Sequence, residues 1–304
     1  MSGARKKLPI GIQSFGKLRN DRCYYVDKTE FALRLIQDGG YYFLSRPRRF
    51  GKSLFLDTLK ELFEGNQSLF TGLYAESRWD WSVKYPVIRI SFGSGLLRSR
   101  EDLNKRLKDH LQQNKERLGL DAWIEDDLPG TFSALIREAA SKDGQPVAVL
   151  IDEYDKPILD NIENIEGATA MREGLKDLYS VLKDADPYLK FVFLTGVSKF
   201  SKVSLFSGLN NLRDITILPE YSALCGYTDG DVDQVFAPEL AVGDLDREEI
   251  RHWYNGYNWT GEAVYNPFDL LLLFAERKFR PFWYETGTPT FLIKLLSQRQ
   301  VFLP

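Results

Sequence analysis

The chain has 304 residues, 43% hydrophobic and 27% charged, which excludes a mostly disordered protein and leaves room for two domains. A formal net charge of −3 offers no global attraction to nucleic acid or an anionic membrane, so any such contact must come from a local patch. Two distant cysteines (Cys23, Cys225) and two histidines (His110, His252) argue against a disulfide framework or a Cys- or His-based metal site, and they fit a reducing, cytoplasmic interior.

In chain order, Arg5-Lys6-Lys7 leads into Leu8-Pro9-Ile10-Gly11, which is not the apolar core of a secretory signal. The first strand is expected at Tyr41–Ser45, after the Gly39-Gly40 break. A helix follows Gly51, with Phe55, Leu59, Leu62 and Phe63 on one face, and Gly65-Asn66 stops it. Val87–Phe92 reads as a second strand, and charged helices are expected near Glu101–Arg117 and Phe132–Ala140. Val147–Ile151 is a solid apolar run, as expected of a strand buried on both faces of a parallel sheet. A helix near Ala170–Lys183, a strand at Phe191–Leu194 and a weaker strand at Ile215–Leu218 complete an α/β alternation. From Pro219 the texture changes to frequent Pro and Gly breaks between helical segments. The expected organisation is a core over 1–218 and a helical lid over 219–304. The longest apolar run, Leu270–Ala275, is far short of the roughly 18–20 residues a membrane span requires. No membrane partner is expected.

Gly51-Lys52-Ser53 lies between the first strand and its helix, where a phosphate-binding loop belongs. Gly51 lets the backbone approach phosphate, Lys52 neutralises its charge, and Ser53 offers a hydroxyl to Mg²⁺. The helix start points free N–H groups at the anion. Arg48, Arg49, Phe50 and Leu54 complete the candidate cradle. The general pattern asks for glycine where this chain has Arg46, and Pro47, Arg48 and Arg49 make the loop stiff and basic, so that it can still bind phosphate while curving differently.

Asp152-Glu153 ends the strand Val147–Ile151. At that edge of an open sheet Asp152 suits a Mg²⁺-bound water, and Glu153 suits orienting and activating the attacking water. An Asp-Glu pair points to the additional-strand class of P-loop ATPases, in which a further strand separates the lysine strand from the acidic one. Phe191–Leu194 fits that strand, and Thr195 at its end fits the polar sensor of the γ-phosphate.

On these residues the chain resembles the bacterial AAA-ATPase-like family, whose longer members end in a PD-(D/E)XK nuclease-like domain. The resemblance runs through Leu8–Gly11, Tyr24–Thr29, Ser45–Ser53, Leu150–Ile158, Phe193–Lys202, Phe206–Leu212, Trp253–Tyr257, Tyr265–Pro267 and Thr286–Pro289. It implies that Arg46 is usual in the family and that nucleotide acts as a conformational switch. It also implies a nuclease-like domain following near Leu296, so that the lid is expected to be cut short here.

Other residues carry weaker expectations. Ser198, Lys199 and Lys202 can reach phosphate or simply form a solvated basic loop. Arg48, Arg49 and Arg213 are candidates for a finger to a neighbouring subunit. For Asp155 and Lys156 the plain reading is that they pair with each other. Tyr25 and Asp27 precede the first strand, where related ATPases sometimes grip adenine, with a purely structural role the favoured reading. The aromatics Trp253, Tyr254, Tyr257 and Trp259 suit packing within the lid better than base stacking. The leading expectation is an ATP-binding, slowly hydrolysing, Mg²⁺-dependent switch, with self-association left open. Against it stands a non-catalytic nucleotide-ordered module that recruits nucleic acid or a protein. A P-loop kinase is disfavoured by Glu153 and by the lack of an arginine-rich lid.

Overall fold

A computed structural model of the chain describes residues 4–121, 126–199 and 211–287. Five strands form one sheet in the order β2-β3-β4-β1-β5: β1 (Gly40–Ser45), β2 (Val87–Ser91), β3 (Val147–Asp152), β4 (Leu189–Gly196) and β5 (Leu212–Asp214). The pairs β1–β4, β2–β3 and β3–β4 are all parallel. All six residues of β3 are buried, as its unbroken apolar run requires. The order places β4 between the strand before the lysine loop and the strand that ends in Asp152. That is the additional-strand arrangement expected from Glu153.

The fifth strand is displaced from its expected place. Ile215–Leu218 is a turn, because Asp214 Oδ1 accepts from the Thr216 amide at 2.9 Å and the Leu218 amide donates back to the Ile215 carbonyl. An Asx turn of this kind competes with strand pairing.

The chain groups into two compact units. The first contains Gly39–Ser45 and Lys84–Arg213, and thus β1 to β4. Here α4 (Arg100–Leu118), α5 (Leu128–Asp143) and α7 (Ile165–Asp184) bury Leu107, Phe132, Leu178 and their neighbours in one core with Phe43, Ile90 and Val149 of the sheet. The start of α4 is sharp because Ser99 and Asp102 form a reciprocal capping box, and Gly119 closes it in the left-handed conformation. The short α6 (Lys156–Leu159) follows β3.

The second unit combines the described residues up to Asp38, Arg46–Val83 and the described residues from Asp214. It holds α1 (Phe15–Asn20), α2 (Thr29–Asp38) and α3 (Lys52–Phe63). Later come α8 (Asp229–Val235), α9 (Ala237–Leu240), α10 (Arg247–Tyr254), α11 (Pro267–Glu276) and α12 (Phe282–Gly287). The helical texture after Pro219 is thus observed, but it is interrupted by a small antiparallel hairpin, β6 (Asn255–Tyr257) and β7 (Val264–Tyr265). Among the described residues no helix is long and apolar enough to cross a membrane.

Asp229 ties this unit together through Arg247 (2.6 Å), Arg251 (3.0 Å) and the Tyr265 hydroxyl (2.6 Å). Partial burial pushes its carboxyl upward, but the hydrogen bonds from Tyr265, Arg247 and Arg251 outweigh this and hold it down at about 2, against an ordinary 3.8. A depressed acid stabilises the fold above its unfolded value and loses that contribution as pH falls through its folded value. Asp229→Asn is therefore expected to cost about 1–2 kcal/mol at pH 7, discounted for partial exposure, and much less near pH 2. Urea unfolding at both pH values measures it; the same loss at each would refute the linkage.

Candidate functional site

Lys52 opens α3 and is 6% exposed. Its Nζ donates to the carbonyls of Arg46 (2.9 Å) and Pro47 (2.8 Å), so the ammonium is folded back against its own loop. Gly51 precedes it with φ +92°, a left-handed turn that glycine adopts without strain. No side chain caps the helix at Gly51. First-turn amides of α3, including those of Ser53 and Leu54, therefore face no capping side-chain oxygen, which is how a helix start receives an anion.

The rest of the loop divides by side-chain direction. Arg48 and Arg49 are exposed, with Arg49 in a left-handed conformation (φ +61°) and its guanidinium 4.2 Å above the Phe268 ring. Phe50 is fully buried and meets Tyr257 and Trp259 edge-on at 4.8 and 5.2 Å, so only its backbone is left for a ligand. Arg46, in the place of the usual glycine, is 1% exposed. Its Nη1 and Nη2 donate to the carbonyls of Thr216 (2.8 Å) and Tyr221 (3.1 Å), and the guanidinium lies 4.0 Å from the Trp259 ring centroid. Burial pulls its pKa down to about 10, with Cys225 and Asp214 opposing.

In the strand unit, Asp152 is 3% exposed and Thr195 fully buried, and Thr195 Oγ1 donates to Asp152 Oδ1 at 2.6 Å. The carboxylate and the hydroxyl from adjacent strand ends thus meet directly. Glu153 follows with φ +53°, a conformation costing a non-glycine residue roughly 1 kcal/mol. Its carboxylate lies over Gly93, where an added Cβ would sit 3.4 Å from Cδ. Turned out of β3 in this way, Glu153 stays half-buried while Tyr154 turns inward.

Tyr154 and Asp155 were not assigned to the site by sequence reasoning, yet they organise the end of β4. Tyr154 packs edge-on against Phe43 and donates its hydroxyl to the Ser198 carbonyl at 2.9 Å. Buried Asp155 accepts from the amides of Val197 (3.0 Å) and Ser198 (2.7 Å) and from the Ser198 hydroxyl (2.9 Å). Burial raises its carboxyl above the ordinary value, although the bonds from Ser198 and Val197 pull it back. The expected Asp155–Lys156 pair does not form. Lys156 donates to Asp160 and to the Gly95 carbonyl, because the turn into α6 puts those acceptors one helical turn along and across the β2 edge. The signal for this interlock was the run Asp152–Ile158 set against Phe193–Ser198, but residue type alone does not pair the two.

Asp27 is engaged locally, by Thr29 and by the Tyr74 amide at 2.6 Å, while Tyr25 packs on Phe15. Arg213 is exposed on β5, and Lys202 lies outside the described residues. Tyr254 stacks on Phe279 and meets Trp283 edge-on, and Trp253 lies tilted against both, so these aromatics pack within their unit. His110 Nε2 donates to the Ser91 carbonyl at 2.7 Å, and burial lowers its pKa. Among the described residues no group of three or more His, Cys, Asp and Glu is placed to hold a metal. The Ser53 hydroxyl and the Asp152 carboxylate are each hard oxygen donors, of the kind that Mg²⁺ takes while keeping most of its waters.

Comparison with known proteins matches residues 9–206, well over half of the chain, to the AAA-ATPase-like family, described as "Predicted AAA-ATPase". A protein of Azotobacter chroococcum mcd 1, described as "Uncharacterized protein in vnfD 5'region", is 62% identical over 302 residues. The match covers 99% of this chain and 58% of that protein, so the chain spans less than two thirds of that relative. Among solved structures, the Aeropyrum pernix ORC2 protein (ADPNP-ADP complexes) is a distant likeness at 10% identity and TM-score 0.41, over 89% of this chain and 66% of that one.

Proposed function

From the premise that this chain belongs to the AAA-ATPase-like family, we propose that it binds ATP with Mg²⁺, hydrolyses it slowly and uses the cycle as a conformational switch. The observation that carries this reading is the strand order, with Thr195 bonded to Asp152 at the carboxyl edge from which the lysine loop also departs after Ser45. Lys52 and the first-turn amides of α3 hold the β- and γ-phosphates. Ser53 and Asp152 would each offer an oxygen to Mg²⁺, which when bound neutralises phosphate charge. Glu153 orients the attacking water and takes its proton, and Thr195 turns its one hydroxyl proton from Asp152 to the γ-phosphate.

Lys52 tests the binding half of this reading. Lys52→Ala removes the one ammonium in the loop, and ATP affinity is expected to fall about 100-fold, close to 2.7 kcal/mol. Titration calorimetry with Mg²⁺-ATP measures it. Unaltered affinity would place the nucleotide elsewhere.

A further inference from the structure

Arg46 bonds in two directions at once. Its backbone carbonyl accepts from Lys52 Nζ, and its guanidinium lies on Trp259 and reaches the carbonyls of Thr216 and Tyr221. Trp259 is fixed in turn by the segment that supplies those carbonyls. Thr260 Oγ1 donates to the Ile217 carbonyl at 2.7 Å, and a Cβ at Gly261 would come within 2.7 Å of the Pro219 carbonyl. Phe50, two residues before Lys52, is wedged against the same Trp259 and against Tyr257. A hairpin of three and two paired residues has no stability alone, so its order comes from these contacts.

We propose that Arg46 and Trp259 are a positioning pair for the phosphate-binding loop, and that the β6–β7 hairpin sets the loop's affinity for nucleotide through them. This rests on the reading of the Lys52 loop as the nucleotide site. The guanidinium occupies the side of the loop that a glycine would leave bare, and it makes the loop's shape depend on where Trp259 stands. Anything that shifts the hairpin moves the carbonyl that holds Lys52. Reciprocally, phosphate that draws Lys52 away alters the environment of Trp259. A planar, delocalised cation is needed, because a lysine cannot bridge two carbonyls while lying flat on an indole.

The test compares Trp259→Ala, Trp259→Phe, Arg46→Ala and Arg46→Lys with the parent chain. Only variants with a native-like circular dichroism spectrum and cooperative melting are used. Trp259→Ala is expected to weaken Mg²⁺-ATP about thirtyfold, in keeping with loss of a desolvated cation–π contact. Trp259→Phe should restore most of that affinity, and Arg46→Lys should not restore what Arg46→Ala loses. The parent's tryptophan emission should change on adding ATP, and that change should be absent in Trp259→Phe. Hydrogen exchange of amides 48–54 without any nucleotide gives a separate reading, expected at least tenfold faster in Trp259→Ala and Arg46→Ala, with β3 amides unaffected. Loop exchange like the parent's in both alanine variants overturns the proposal, whatever the ligand. If the parent binds no nucleotide while loop exchange rises as expected, the proposed ligand fails and the positioning pair stands.

Discussion

Glu153→Gln is expected to lower ATP turnover at least about 100-fold while leaving Mg²⁺-ATP bound, the range a positioned general base contributes. The amide has the shape of the carboxylate and can keep its place over Gly93. What it loses is the capacity to take a proton from water. The left-handed backbone at φ +53° belongs to position 153 and not to the acid, so the variant inherits the same outward turn. Steady-state phosphate release by both proteins, beside calorimetric binding, decides the matter. Lost turnover with retained binding locates the base. Equal background release from both would sink the hydrolytic reading and leave a nucleotide-ordered module that recruits a partner without turnover.

The second large effect is structural. Gly196→Ala would place a Cβ 2.4 and 2.6 Å from ring carbons of Tyr154 and 2.8 Å from Asp155 Oδ1. Neither neighbour can yield cheaply. Tyr154 is fully buried against Phe43, and Asp155 is held by three donors from Val197 and Ser198. A loss of about 3 kcal/mol is expected, at the upper end of ordinary overpacking. It is read as a fall in the urea midpoint with unchanged slope. Tyr154→Leu in the same chain returns space and should recover part of the loss. An unshifted midpoint for Gly196→Ala alone would show that the ring and the carboxylate can move aside.

Much of this was legible in the residues because its causes are local. The solid apolar run Val147–Ile151 signals a strand covered on both sides, and all of β3 is buried. Phe55, Leu59, Leu62 and Phe63 at helical spacing end at Gly65, and α3 closes at Phe63. Asp-Glu after the third strand pointed to an inserted strand, and β4 lies between β3 and β1. Where a short-range polar bond competed with an apolar pattern, pattern reading failed. Asp214 turned Ile215–Leu218 out of the sheet, and Lys156 found Asp160 in place of its neighbour.

Residue type and order therefore carried the fold class, the lysine loop and the acidic strand end, since each is written in a contiguous stretch whose period or chemistry speaks for itself. Folding was needed for everything that joins distant stretches. It grouped Arg46–Val83 with the described residues from Asp214, put Trp259 on Arg46, and set Tyr154 and Asp155 around Gly196. No spacing rule encodes such pairings, because they depend on which surfaces meet once apolar area is buried, and a buried arginine or aspartate takes whatever acceptors or donors that burial leaves within reach.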